Sequence, residues 1–495
     1  MADEPMETVE VTEEAKAEAE ASKAQANKAF GEKKYAVSIV HYTKAIDSNP
    51  MNAIYYANRA FAHIKMENYG SALADATKAI QVDPKYVKGY YRRGSAYLFL
   101  NNFKGALKDF KTVAKVTPND KDAQVKLKEC EKEVKRLKFE DAISSDHDTI
   151  PQSEQVDFEA MPIDDSYDGP RMDKGEDGQY VVTARFVEEM VEHFKSQKQI
   201  HKHFAFKIVM DVLAILRKAP TLVDIPVPEG THFTVCGDVH GQFYDLVNIF
   251  DINGRPSPDN PYLFNGDFVD RGSFAAEVIL TLFAYKALYP DSMFLSRGNH
   301  ETTNMNKIYG FHGEICAKFN ENLSLLFREV FCWLPLGAVI GEKVFVVHGG
   351  LFSTDGVTLD DIRKIDRVRE PPDEGIMCEM LWSDPMPTSQ GQGRGVSKRG
   401  VGVQFGSDVT ARFLEDNNLE LVVRSHEVKD EGFEVDHDGR LVTVFSAPNY
   451  CDQMGNKGAF IKFNSDMAPN FTKFAAVPHP PVRPMAYASG LLNMV

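Results

Sequence analysis

The 495-residue chain is longer than one hydrophobic core usually spans, so two or more domains are expected. Its 43% hydrophobic and 26% charged residues are ordinary for a globular protein, and 72 acidic against 56 basic side chains leave a net charge of −16. That balance argues against nonspecific binding to nucleic acid or an anionic membrane surface, and no apolar run reaches the ~20 residues of a membrane span.

In chain order, residues 1–18 carry seven acidic side chains and one lysine and read as a disordered tail. Pro50, Pro84 and Pro118 then recur every 34 residues, as do Ala45 and Ala79, and Ala26, Ala60 and Gly94. Small residues at fixed offsets let helices approach closely, and each proline ends a helix before the next pair begins. The pattern resembles three tetratricopeptide repeats over residues 19–120, with Ala29, Ser38 and Val113 departing from the usual residue types. Residues 121–142 are helical in composition and read as a capping helix; Cys130 and Arg136 match a C-x5-R spacing there, but no glycine-rich phosphate loop surrounds them.

Residues 143–168 are polar, acidic and broken by proline, a linker that Phe158 and Met161 pin to a surface. A second large domain is expected over 169–480, opening with a helical region from Thr183 to about Lys218. Residues 481–495 are expected to hold a short apolar helix within Val482–Val495. Six cysteines stand far apart with no CxxC pair, and MADEPMETVE is acidic where a signal peptide is basic and then apolar. A reducing compartment, cytoplasmic and nuclear, is the expected location.

Within 169–480, six strand-like runs each end in polar groups. THFTVC leads to Asp238, PYLFN to Asp267, MFLS to Asn299, KVFVV to His348, LELVVRS to His426, and LVTVFS to Asn449 and Tyr450. Strand C-termini are where α/β sheets present ligand sites, and oxygen and imidazole donors suit hard or borderline divalent cations. GDVHGQ, GDFVDRG, RGNHE, HGG and SAPNY, in this order, resemble the metal-dependent serine/threonine phosphoprotein phosphatases, in the form that carries tetratricopeptide repeats ahead of the enzyme.

The resemblance implies an all-α repeat array followed by an α/β metallophosphoesterase domain, a central β-sandwich flanked by helices. It also implies two divalent metal ions, manganese, iron or zinc. One would be held by Asp238, His240 and Asp267, the other by the shared Asp267 with Asn299, His348 and His426. By the same resemblance a hydroxide between the metals attacks phosphorus directly. His300, paired with Asp270, protonates the leaving alkoxide, and Arg271, Arg399, Asn299 and Tyr450 bind the phosphate. Arg394 is the alternative to Arg399, because the glycine-rich run before them leaves the register open. His201, His203 and His312 are expected to be structural.

In such repeats the first helix of each pair lines a groove. Lys23, Asn27, Asn58, Lys88 and Arg92 match the clamp that holds the C-terminal peptide of heat shock protein 90 or 70. The resemblance further implies autoinhibition: the repeats cover the active site, Glu67 approaches Arg271, the segment around Met485–Leu492 buttresses that state, and partner peptide or an activating lipid opens it. Phosphoproteins are the expected substrates. Two other readings stay open, a chaperone adaptor with a vestigial enzyme and a nucleotide or dinucleotide phosphoesterase.

Overall fold

A computed structural model describes residues 11–144, 150–158, 160–387 and 391–488. The chain divides into two compact units, one of residues 1–149 with 396–401 and 494–495, the other of 150–395 with 402–493.

The first unit is helical. Its helices are α1 (Glu13–Gly31), α2 (Tyr35–Ser48), α3 (Ala53–Lys65), α4 (Tyr69–Val82), α5 (Val87–Phe99), α6 (Phe103–Val116) and α7 (Lys121–Ser144). Helix α1 starts inside the stretch expected to be a tail. Thr12 Oγ1 accepts the Ala15 N–H at 3.2 Å, and Glu13 and Glu14 in the first turn favour the positive end of the helix dipole. Residues 1–10 of that expected tail lie outside the described residues.

Pro50, Pro84 and Pro118 each follow a helix C-cap, Asn49, Asp83 and Thr117, where the ring no longer interrupts a helical hydrogen bond. Ala26, Ala45, Ala60 and Ala79 are fully buried between helices. The departure at Ser38 is accommodated, because its hydroxyl donates to Ala26 O at 3.0 Å. Two ion pairs repeat with the helices: Arg59 forks onto Asp75 and Arg93 onto Asp109, with N···O distances of 2.7–2.8 Å.

The second unit is a β-sandwich covered by helices on both outer faces. One sheet orders its strands Phe433–Asp436, Leu441–Val444, Leu421–Arg424, Val344–Val347, Gly337–Ile340 and Leu222–Ile225. The other orders Pro469–Phe474, Gly458–Asn464, His232–Cys236, Tyr262–Phe264 and Met293–Leu295. Alternate side chains of both sheets, among them Val235, Leu263, Val346, Val423 and Ile461, meet in the core between them. Long helices such as Lys202–Leu216, Ala275–Leu288 and Glu321–Trp333 cover the five-stranded sheet, and Ile376–Trp382 and Ser407–Asp416 cover the other. The helical region expected from Thr183 is two helices, Ala184–Lys195 and Lys202–Leu216, separated by a turn in which Gln197 has φ 57°.

The stretch expected to be a linker through 168 joins this unit well before its end. Ser153 N and Oγ donate to Glu329 at 2.9 and 2.7 Å, and Val156, Phe158, Met161, Ile163 and Tyr167 pack on the core. Burial of these apolar side chains outweighs the polar average of the segment. At the other end, residues 482–488 form turns rather than the expected helix, since Pro484 lacks an N–H to donate and Met485 adopts φ 55°. The remaining residues of that expected helix, 489–495, lie outside the described residues.

Candidate metal and phosphate site

Strand direction explains why distant residues meet. His232–Cys236, Tyr262–Phe264 and Met293–Leu295 pair in parallel, so the loops carrying Asp238, Asp267 and Asn299 emerge at the same end of their sheet. Val344–Val347, Leu421–Arg424 and Leu441–Val444 are likewise parallel and deliver His348, His426 and Asn449 from the other sheet. An isolated bridge between Asp238 and Phe445 joins the two sets of loops.

The loops are pressed together. Gly266, at φ 85°, lies so close to the RGNHE loop that an added Cβ would stand 2.6 Å from Gly298 N, and one on Gly298 would stand 2.4 Å from Asp267 N. His240, Asp267, Asp270, Arg271, His426 and Asn449 all hold positive φ, between 42° and 68°. Such backbone is costly for residues with a Cβ and persists where surrounding contacts impose it.

Two triads result, each with one donor atom per residue within 4.8 Å of the others: His240, Asp267 and His300, and Asp267, His348 and His426. Asp267 is common to both. Asp238 lies alongside, its Oδ2 3.7 Å from His240 Nε2 and its Oδ1 accepting the His426 N–H at 3.1 Å. His300 joins the first triad by distance, although its Nδ1 is engaged with Asp270 Oδ2 at 2.8 Å.

The imidazoles are oriented from behind. His240 Nδ1 donates to Val269 O at 2.9 Å and His348 Nδ1 to Asn265 O at 2.8 Å, so each turns an Nε2 lone pair inward. His348 Nε2 then lies 2.9 Å from the Asn299 amide, which donates to it when its Nδ2 is turned inward, 3.3 Å from His426 Nδ1 and 3.4 Å from Asp267 Oδ1. Oxygens and nitrogens facing one another in this way repel unless a cation or protons lie among them.

Burial pushes Asp238 up to about 7, with the neighbouring Asp267 charge adding to it, and depresses both His240 and His348. Clustered buried carboxylates with neutral inward-facing imidazoles form a donor set that a divalent cation relieves, so these residues fit the metal ions that the motifs implied. The mixed oxygen and nitrogen donors fit manganese, iron or zinc alike.

Around the triads lie groups suited to phosphate chemistry. Asp270, raised to about 7 by burial, is held by the Phe311 N–H at 2.9 Å and Asn306 Nδ2 at 3.1 Å. The Arg271 guanidinium lies 3.7 Å from the Tyr309 ring centroid, and Arg271 O accepts the Met485 N–H at 2.7 Å. Tyr450 stacks at a tilt near His240, ring centroids 5.2 Å apart, and Cys451 is its loop neighbour.

Arg399 lies in 396–401, the segment grouped with the helical unit, where its N–H donates to Ser397 Oγ at 3.1 Å. The alternative, Arg394, is committed elsewhere: it donates to Phe352 O and to Asp355 Oδ1, each at 2.7 Å. His201, His203 and His312 sit in structural roles, His201 capping a helix through His203 N and His312 meeting Ser324 Oγ at 2.8 Å.

Sequence reasoning passed over several supporting residues. Glu301, buried and raised to about 8, accepts the N–H groups of Asp267, Phe268 and Gly298, each at 2.8 Å. Arg297, also buried, donates to the carbonyls of Glu301 and Arg369. Glu301 and Arg297 frame the RGNHE run itself, a signal that the search for ligands overlooked; Asn306 and Tyr309 carried no local signal.

In the helical unit Tyr42 OH donates to Asn27 Oδ1 at 2.6 Å, Lys23 pairs with Glu20, and Arg92 lies 3.5 Å from the Phe61 ring centroid. Burial lowers the pKa of Arg92, and it lowers that of Lys65 with Arg92, Lys126 and Lys33 adding to the shift. Cations thus gather near Arg92 beyond the set expected from sequence. Glu67 occupies the turn between α3 and α4 with φ 60°.

Comparison with known proteins agrees with both units. The calcineurin-like phosphoesterase profile matches residues 231–430, the tetratricopeptide repeat profile 53–86 and 87–120, and a profile described as the PPP5 TPR repeat region 127–224. Serine/threonine-protein phosphatase 5 of Arabidopsis thaliana is 57% identical over 96% of this chain and 97% of its own. The Homo sapiens protein of the same name is 55% identical over 96% and 94%. A solved protein serine/threonine phosphatase from Saccharomyces cerevisiae, described as similar to human phosphatase PP5, superposes with a TM-score of 0.59 at 41% identity. It covers 62% of this chain and all of that one. This extent of identity, through both units, places the chain in the serine/threonine-protein phosphatase 5 family, and it is a metal-dependent protein phosphatase.

Proposed function

We propose that the chain hydrolyses phosphoserine and phosphothreonine by direct attack of water, with His300 as the general acid. The observation that carries this reading is the 2.8 Å pairing of His300 with Asp270 beside two donor triads that share Asp267. Asp238, His240, Asp267, Asn299, His348 and His426 would hold two divalent cations. When bound, these supply Lewis acidity toward a phosphoryl oxygen and lower the pKa of water.

Asp270 accepts from His300 Nδ1 and stabilises the imidazolium form, whose Nε2–H is donated to the oxygen of the departing serine or threonine, leaving a neutral imidazole. Arg271 offers a planar fork to the equatorial phosphoryl oxygens, with Arg399, Asn299 and Tyr450 as further donors. The test compares the wild type with Asp238→Asn and His300→Gln on phosphoserine, phosphothreonine and phosphotyrosine peptides and on a phosphodiester. Turnover of the first two, lost in both variants, is expected. A preference for the phosphodiester would transfer the reading to a nucleotide phosphoesterase, and equal silence in all three proteins would leave an adaptor.

The helical unit is proposed to recruit the enzyme to chaperones. Lys23, Asn27, Asn58, Lys88 and Arg92 would receive the two carboxylates that end an acidic peptide of heat shock protein 90 or 70, a reading supported by the cations near Arg92. The same unit is proposed to restrain turnover, with Glu67 directed at Arg271 and relief by peptide or lipid. Turnover of residues 150–495 against the full chain tests this, and equal rates would sink it. The six free cysteines accord with the proposed cytosolic and nuclear residence.

A further inference from the structure

The short helix Thr303–Tyr309 supports the site from below, and the proposed chemistry assigns it no part. Two of its side chains, three residues apart and therefore on one face, reach different parts of the phosphate machinery. Asn306 Nδ2 donates to Asp270 Oδ2 at 3.1 Å and to His300 O at 2.6 Å. Tyr309, 2% exposed, places its ring centroid 3.7 Å from the Arg271 guanidinium carbon and 5.1 Å from the centroid of the His300 ring. Its carbonyl accepts the Arg271 N–H at 3.3 Å.

We infer that Tyr309 is a positioning residue for phosphate binding, its ring the platform that holds the Arg271 guanidinium in the orientation required to meet a phosphoryl group. An arginine side chain has four rotatable bonds, and fixing them on substrate arrival costs conformational entropy. A guanidinium already stacked on an aromatic face has surrendered that freedom, and the negative face of the ring stabilises the buried cation while leaving its in-plane N–H groups for oxygen. Arg271 holds φ 67°, so the backbone is also committed, and the Tyr309 carbonyl helps to fix it. The same ring borders His300, which couples the acid and the clamp through one side chain.

The inference rests on the reading of Arg271 as the phosphate clamp. Inorganic phosphate is therefore the probe, used as a competitive inhibitor of the full-length, metal-loaded protein, with Arg271→Ala as the reference. Tyr309→Leu is expected to raise the phosphate inhibition constant about tenfold, and Tyr309→Phe, which keeps the ring, to hold it within about twofold. Phenylalanine analogues with increasing fluorine at position 309 retain the shape while draining the ring face. Phosphate affinity is expected to fall stepwise along that series, a trend that a merely space-filling ring does not produce and that does not depend on Tyr309→Leu folding. A flat fluorine series, or equal losses in Tyr309→Phe and Tyr309→Leu, overturns the inference while Arg271→Ala still weakens phosphate. If Arg271→Ala binds phosphate as wild type does, the clamp reading fails and the platform with it.

Discussion

The two units share an uncommon backbone conformation, but only one of them concentrates it in a single place. In the helical unit, Lys33, Glu67 and Asn101 hold φ of 60°, 60° and 56° at intervals of 34 residues, each in the turn that closes the first helix of a pair. The conformation there ends a helix, and any residue that tolerates it serves. In the enzyme unit it also serves ordinary turns, as at Gln197, Glu342 and Asn418, but six of the residues that hold it, His240, Asp267, Asp270, Arg271, His426 and Asn449, gather in the loops of the candidate site, where it aims side chains from loop to loop. Recurrence distinguishes architecture from chemistry: a strained position that repeats with the fold is a joint, whereas one that does not repeat and gathers ionisable groups is a site.

The largest effect expected to sharpen this contrast is at His300. His300→Gln should lower kcat by about 10²–10⁴-fold with metal content unchanged, measured by turnover alongside elemental analysis. Loss of metal with the activity would reassign His300 as a ligand, as its place in the first triad permits.

Next come the buried ions that hold each unit. Lys318 bridges Glu277 at 2.6 Å and Glu314 at 2.7 Å beneath the Arg271 loop, and Lys318→Met leaves two carboxylates buried without their cation. We expect the enzyme unit to lose about 3–5 kcal/mol in denaturant unfolding, followed by a probe within that unit. Asp109→Ala should cost a similar amount in the helical unit, because Arg93 loses both hydrogen bonds. If both substitutions weakened both units equally, the units would not be the separate cores described above.

A smaller effect is expected with pH. Burial alone would depress His479, but its hydrogen bonds to Asp452 at 3.0 Å and Pro480 O more than offset this and raise its pKa. A histidine raised in the folded state contributes stability in full below its unfolded pKa, about 6.5, and loses it as pH rises through the folded value. The melting temperature of wild type should therefore exceed that of Asp452→Asn most in mild acid, and the gap should narrow through neutral pH. A gap that widens with pH would contradict the assigned sign.

The smallest effect tests the joint itself. Glu67→Gly removes a Cβ from a left-handed position and should stabilise the helical unit by up to about 1 kcal/mol, read from its unfolding transition. Loss of stability would mean that the glutamate side chain, and not the turn, is what position 67 supplies.

The sequence by itself determined a good deal. Thirty-four-residue spacing of alanines and prolines defined the repeat array, because each helix pair packs on its chain neighbours and local pattern suffices. Strand-like runs ending in Asp, Asn and His pointed to the candidate metal donors, since a parallel strand delivers whatever follows it to one edge. What lacked a local pattern was misread: Thr12 starts a helix within an acidic tail, and Ser153 already ties the polar stretch to Glu329, although the pinning by Phe158 and Met161 was legible.

Only the tertiary structure could show that Glu301 gathers three N–H groups, that Asn306 supports Asp270 and that Tyr309 underlies Arg271. These roles depend on contacts between loops tens of residues apart, where direction and distance decide function and residue type alone does not. The candidate donors were legible because metal chemistry restricts which side chains can serve. Their supports were not, because many side chains can hold a loop and only packing selects among them.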